Sequence, residues 1–163
     1  MSPRVVVAFA TRAGSTGEVA QAIGEVLSRR GCSVTVSLVR RDLRVAGYDA
    51  VLIGSGVRSG SWLPQAVAFV TDHQYALRRV PVALFRVHLN NTGTDAQSVA
   101  NREACLEPVR ALLQPVAEEF FTGAVDPAKL SVLERIMLRR VQAPACDYRD
   151  WRKIQEWAET IFV

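Results

Sequence analysis

Long apolar runs are missing from this chain. None reaches the roughly 18 residues that a bilayer-spanning helix needs, so no transmembrane segment is expected. Met1-Ser2-Pro3-Arg4 leads straight into a strand pattern instead of a signal-peptide core, which points to a soluble, cytoplasmic protein. Cys32, Cys105 and Cys146 stand far apart with no C-x-x-C pair, which argues against a zinc ribbon or a disulfide framework and leaves free thiols. His73 and His88 are the two histidines and make no metal cluster. Lysine is scarce too. Of the 20 lysines and arginines only Lys129 and Lys153 are lysines, so the net charge of +4 rests on arginine. Spread over many segments, these arginines read as a solvated surface, and no nucleic-acid partner is expected. Internal repeats, low-complexity segments and linkers are absent, and 49% hydrophobic content across 163 residues suits a single domain over 1–163.

What is present begins at residues 5–10, a continuous apolar run of the kind found in strands buried on both faces of a parallel sheet. The chain then passes through Thr11-Arg12-Ala13-Gly14-Ser15-Thr16-Gly17 into a helix marked by Val19, Ala20, Ile23, Val26 and Leu27 and stopped by Gly31. A helix N-terminus offers unpaired N–H groups and partial positive charge, so hydroxyls and a glycine there can cradle a phosphate. The turn lacks the G-x-G-x-x-G of a dinucleotide fold and the lysine of a Walker A loop. What remains is a Thr/Ser-x-x-Gly-x-Thr pattern suited to a single terminal phosphate, such as that of FMN. A Thr/Ser-capped helix without a ligand explains the same residues as well.

Strand and helix units then repeat. Residues 34–39 and 50–54 read as strands, and 55–61 as a glycine-rich loop. A helix follows over 62–75 with Pro64 in its first turn. Residues 80–87 form a fourth strand with 88–94 as its outgoing loop. The helix over 95–113 is expected to kink or break at Pro108. Residues 116–125 are a fifth strand, less apolar at Glu118 and Glu119, as suits a sheet edge. The last helices span 127–141 and 150–162. Asp150 caps the second, which presents Ile154, Trp157, Ala158 and Ile161 on one face. Five parallel strands alternating with helices give an α/β doubly wound sheet, with a crevice at the strands' C-terminal ends where the order reverses. The loops after the first, third and fourth strands all carry glycines and polar residues, which favours a ligand over mere capping.

Thr11-Arg12-Ala13-Gly14-Ser15-Thr16, Tyr48-Asp49-Ala50-Val51-Leu52-Ile53-Gly54-Ser55, Val57-Arg58 before Gly60, and Pro81-Val82-Ala83-Leu84-Phe85 resemble the flavodoxin-domain family that includes the menaquinone-dependent protoporphyrinogen IX dehydrogenases. The resemblance extends through Phe121-Thr122-Gly123 and Leu133-Glu134-Arg135 to Asp147-Tyr148-Arg149-Asp150-Trp151. It implies a flavodoxin-like five-stranded parallel sheet of order 2-1-3-4-5, helices on both faces, and noncovalent FMN. Thr11, Ser15 and Thr16, with the backbone of Arg12, Ala13 and Gly14, would hold the phosphate. Gly56, Val57, Arg58, Ser59 and Gly60 would flank the flavin ring on one side, and Val87, His88, Leu89, Asn90 and Gly93 on the other. Ala13 replaces a threonine common in flavodoxins, and Ser59 an aromatic residue common beside the flavin. No side chain need act as a catalytic acid or base, because the flavin carries the electrons.

The implied activity is oxidation of protoporphyrinogen IX or another small reduced substrate, with a quinone or redox-protein acceptor. A flavodoxin-type electron carrier is the second reading, and a flavodoxin-like binding module that has lost FMN the third. Arg58 would place a fixed charge near the flavin or grip a substrate carboxylate; a surface arginine is the plain alternative. His88 reads as a hydrogen-bond partner of flavin or substrate, or as a loop histidine satisfied by backbone; His73 reads as a helix-surface residue, and Trp62 as a neighbour of the flavin or as packing. The basic amphipathic stretch 129–141 reads as a helix packed on the sheet, or as a peripheral contact with the inner face of the membrane.

Overall fold

The computed structural model describes residues 2–12, 14–125 and 146–162. Ala13, the expected helix over 127–141 with its basic face at 129–141, and the side chain of Cys146 lie outside the described residues.

The main sheet is built from β1 (Arg4–Ala10), β2 (Ser33–Leu38), β3 (Ala50–Arg58), β5 (Val82–His88) and β6 (Ala117–Thr122), all parallel, in the order β2-β1-β3-β5-β6. A short β4 (Ser61–Trp62) pairs antiparallel with the end of β3, which shifts the count; the five-strand parallel order is the expected one. β1 sits centrally, with Val7 opposite Val36 of β2 and Leu52 of β3. The order therefore reverses between β1 and β3, and that switch point opens at the C-terminal ends of both strands.

Successive strand residues face opposite sides, so the apolar runs feed two cores. Val6, Ala8, Val51, Ile53 and Leu84 face α2 (Pro64–Leu77) and α4 (Glu107–Arg110), meeting Phe69, Leu77, Leu106 and Val109. Val5, Val7, Leu52 and Phe85 face α1 (Ser15–Arg29) and α5 (Trp151–Thr160), meeting Ile23, Leu27, Ile154 and Ala158. Helices thus cover both faces, as a parallel sheet requires. Close packing fixes one glycine: a Cβ on Gly54 would stand 1.9 Å from the Phe85 ring. Asp150 caps α5 by accepting the Lys153 N–H at 3.1 Å.

Several boundaries differ from the sequence reading, while the break near Pro108 is the expected one. Residues 55–61 are not a free loop: β3 runs on to Arg58 and folds back through Ser59 (φ 52) and Gly60 (φ 76) into β4, a two-residue turn with both central residues left-handed. Trp62 accordingly belongs to β4, and α2 starts at Pro64. His88 is the last residue of β5, not the first of a loop. The expected helix over 95–113 breaks into α3 (Ala96–Ala104) and α4, with Pro108 in the first turn of the latter, where its missing N–H costs nothing. The fifth parallel strand also stops early, at Thr122. After Gly123, β7 (Ala124–Val125) leaves the main sheet and pairs with β8 (Cys146–Asp147).

Candidate functional site at the switch point

The turn after β1 ends on Gly14, whose left-handed φ of 87 brings the chain into α1. Thr11 Oγ1 accepts the Gly14 N–H at 2.9 Å, which folds the turn on itself and leaves the Thr11 O–H available to donate. The N-cap of α1 is Gly14, with no side-chain cap bond. This corrects the capped-helix alternative: neither Thr11 nor Ser15 serves as the cap, and the first-turn amides stay open at the mouth. Glu18 in that first turn pairs with Arg149, which also bonds Asp147 at 2.6 Å. Glu18 thus shares one guanidinium with Asp147, which offsets part of the carboxylate charge beside the positive end of the helix.

Thr16 is buried and Ser15 half-buried, and each touches a different part of the site. A Cβ on Gly56 would stand 3.3 Å from Thr16 Oγ1, so the first loop and the β3–β4 hairpin meet there. The hairpin is braced from beneath by Ser55, whose Oγ accepts the Leu63 N–H at 3.0 Å and donates to the Gly56 carbonyl at 2.7 Å. Arg58 and Ser59 lie at the hairpin tip, Arg58 opposite Ser61 and Ser59 exposed. Trp62 is core, 2% exposed, and its Nε1 finds no partner among the described residues.

On the other side, a Cβ on Gly123 would stand 2.8 Å from Val87 Cγ1, 3.3 Å from Ser15 Oγ and 3.4 Å from Leu89 Cδ2. Ser15, Val87 and Leu89 therefore converge on Gly123. Tyr148 joins them, since its N–H donates to the Gly123 carbonyl at 3.1 Å and its carbonyl accepts from Thr122 Oγ1. Leu89 and Tyr148 are both exposed large side chains on this rim. Gly123 and Tyr148 were not anticipated as site residues; the only signal was their place in the Phe121-Thr122-Gly123 and Asp147-Tyr148 blocks. Beyond Leu89 the loop turns to α3. Arg102 Nη1 donates to the Asn91 and Gly93 carbonyls at 2.6 Å each, and Asn101 donates to Asn91 Oδ1 at 3.0 Å. Asn91 and Gly93 are thus held to α3, and Asn90 lies between them and Leu89 in the same strap.

His88 departs from expectation. It is 1% exposed, and neither ring nitrogen has a hydrogen-bond partner among the described residues, so no backbone group satisfies it. Burial, then the charges of Arg86 and Arg102, push its pKa down to about 4, which keeps the ring neutral at physiological pH.

Residues 6–151 match the family model described as a flavodoxin domain. The chain belongs to the flavodoxin-domain family. FMN is the cofactor of that domain. Over 88 residues this flavodoxin-domain chain is 31% identical to the protoporphyrinogen IX dehydrogenase [quinone] of Escherichia coli strain K12, covering 53% of the chain and 49% of that protein. The chain thus aligns with about half the length of that relative. It is 21% identical over 170 residues to the protein of the same name from Leishmania major, covering 96% of this chain and 74% of that one. Among solved structures it superposes on a short-chain flavodoxin associated with a non-canonical PDU bacterial microcompartment with a TM-score of 0.58 at 16% identity, covering 98% and 95% of the two chains. Oxidised flavodoxin 2 from Bacillus cereus gives 0.56 at 18% identity, covering 96% and 95%. The fold is that of these flavodoxins. The residues at the mouth fit a phosphate ester: open first-turn amides, hydroxyls at Thr11, Ser15 and Thr16, and a carboxylate already paired with arginine. Among the described residues no group of three or more His, Cys, Asp or Glu could hold a metal ion, and no helix is long and apolar enough to cross a membrane.

Proposed function

We propose that this chain is an FMN-dependent oxidoreductase that oxidises protoporphyrinogen IX, or a similar small reduced substrate, and delivers the electrons to a quinone. The observation that carries the cofactor site is the uncapped N-terminus of α1 at the sheet's switch point, with Thr16 against Gly56 on one side and Ser15 against Gly123 on the other. The two relatives named protoporphyrinogen IX dehydrogenase [quinone] support the substrate and acceptor.

In this reading Thr11, Ser15 and Thr16 donate hydroxyl hydrogen bonds to the phosphate, and the backbone of Arg12, Ala13 and Gly14 and the amides of the first helical turn surround it, the Gly14 N–H remaining on Thr11 Oγ1. Gly56 keeps the β3 backbone within reach of Thr16. Val57 to Gly60 and Val87 to Asn90, with Gly93 behind them in the strap, line the two sides of the ring site. FMN, when bound, supplies the electron transfer. Arg58 at the hairpin tip is placed to hold an anionic substrate group, and the stretch 129–141 is the candidate contact with a membrane that contains quinone. The chain acts throughout by position and charge, with no side chain called on as a catalytic acid or base.

The test is anaerobic oxidation of protoporphyrinogen IX by the FMN-loaded chain with a soluble quinone, followed by porphyrin fluorescence. Quinone-dependent porphyrin formation supports the reading. FMN bound and reducible, with no porphyrin formed, would leave an electron carrier.

A further inference from the structure

Four basic side chains, Arg86, His88, Arg102 and Lys153, surround one aromatic ring away from the turn after β1; Lys153 Nζ is 3.9 Å from the Phe120 ring centre and donates to the Phe120 carbonyl at 2.8 Å. Phe120 of the edge strand β6 lies opposite Arg86 of β5. The Arg102 guanidinium is 4.1 Å from the Phe120 ring centre, that of Arg86 6.0 Å, and the His88 ring stands edge-on at 6.1 Å. Arg86 and His88 are two residues apart on one strand, so their side chains leave the same face of the sheet. Arg86, His88 and Arg102 are 4%, 1% and 7% exposed.

Their donors exceed the acceptors present. Arg86 Nη2 makes a long bond to Glu103 Oε1 at 3.4 Å, while Arg86 Nε and Nη1 and both His88 nitrogens have no partner among the described residues. A guanidinium always keeps its protons, and a neutral imidazole carries one N–H. Charge is unbalanced in the same direction. Arg86 and Arg110 share Glu103, Arg110 also binds Glu118, and Arg102 bonds two backbone carbonyls. Glu103, Glu107 and Asp95 are all exposed and screened by solvent. Among the described residues, what is missing is an acceptor with one negative charge. Water answers the need poorly, because it brings two further donors. A ligand with a bulky substituent would have to lift the strap over 89–94, which Arg102 pins at the Asn91 and Gly93 carbonyls.

We propose that Arg86 and His88, beside the Phe120 ring, form a buried binding site for one halide-sized monovalent anion, with chloride as the ligand. His88 also belongs to the Val87-to-Asn90 stretch that the proposed function sets beside the flavin ring, but anion binding here requires neither bound FMN nor the redox reaction and is tested on the flavin-free chain. It stabilises the C-terminal end of β5 by supplying an acceptor that the described residues do not provide.

Crystals of the full chain soaked in sodium bromide test this directly. An anomalous peak within hydrogen-bonding reach of Arg86 and His88 is expected. In solution, replacing gluconate by chloride at constant ionic strength is expected to raise the melting temperature of the wild-type chain by roughly 3 °C, and to leave Arg86→Met unchanged. No bromide peak, a water-like peak in its place, or equal melting temperatures in the two salts for the wild-type chain would overturn the proposal. The bromide experiment needs no variant, so a failure of Arg86→Met to fold does not affect it.

Discussion

Thr16 and Gly56 are in mutual contact across the switch point: a Cβ at residue 56 would stand 3.3 Å from Thr16 Oγ1. The first turn of α1 and the end of β3 are therefore held by one small-residue contact, and the proposed phosphate site depends on it. Gly56→Val adds two methyl groups beyond that Cβ and is expected to displace Thr16. FMN affinity should fall by about tenfold, roughly 1.4 kcal/mol, while the far-UV circular dichroism stays unchanged. A fluorescence titration of FMN against both proteins checks this.

The contact beneath it is tighter. A Cβ at residue 54 would stand 1.9 Å from Phe85 Cζ, deep between β3 and β5. Gly54→Ala is expected to cost about 3 kcal/mol by urea unfolding, at the severe end of overpacking. Phe85→Leu should recover a large part of that loss in the double variant, because the clash is with the outer ring atoms. Additive losses in the cycle would contradict the contact.

Most of the architecture was legible because it rests on short-range chemistry. The apolar runs at residues 5–10 and 50–54 marked two central strands, Asp150 marked the start of the last helix, and Pro108 marked a break. The site was legible only in part. Thr11 to Thr16 stood out, but sequence gave both the capped and the open reading of that turn, and the choice depends on Gly14 adopting φ 87 and supplying no cap. Ser59 reads as part of a free loop in the sequence, because no local rule foretells that a serine will share a left-handed turn with Gly60. His88 and Arg86 were hidden for another reason. Polar residues in a buried strand are satisfied or orphaned by neighbours from α3 and β6, which lie far along the chain. Gly123 and Tyr148 likewise reach the mouth only through the short bonds between residues 122–123 and 148.

His88 makes folding sensitive to mild acid. The unfolded chain binds a proton at this residue near pH 6.5, whereas the folded chain resists until about pH 4, with Arg86 and Arg102 facing the ring and charged throughout. The unfolded state therefore holds more protons between those values, and stability is expected to fall as pH drops through that window, by up to about 3 kcal/mol. His88→Leu should flatten this part of the pH profile. Denaturant unfolding at a series of pH values in chloride-free buffer checks the slope, and parallel curves for the two proteins would refute it.

Arg102 joins the strap to α3 through two backbone carbonyls and the face of Phe120. Arg102→Leu keeps much of the bulk and loses both bonds. The expected cost is about 2 kcal/mol, with amide exchange accelerated over residues 89–94 and little changed in β1. Uniform acceleration across the sheet would mean that the arginine holds the whole fold instead of the strap.

FMN binding at the mouth of α1 is most directly tested by isothermal titration of the purified, flavin-free chain with FMN, run beside riboflavin. Saturation at about one FMN per chain, with riboflavin bound at least tenfold more weakly for want of the phosphate, is the expected result. Equal affinity for the two flavins, or no heat from FMN with a folded protein, would contradict a phosphate seated on the first helix.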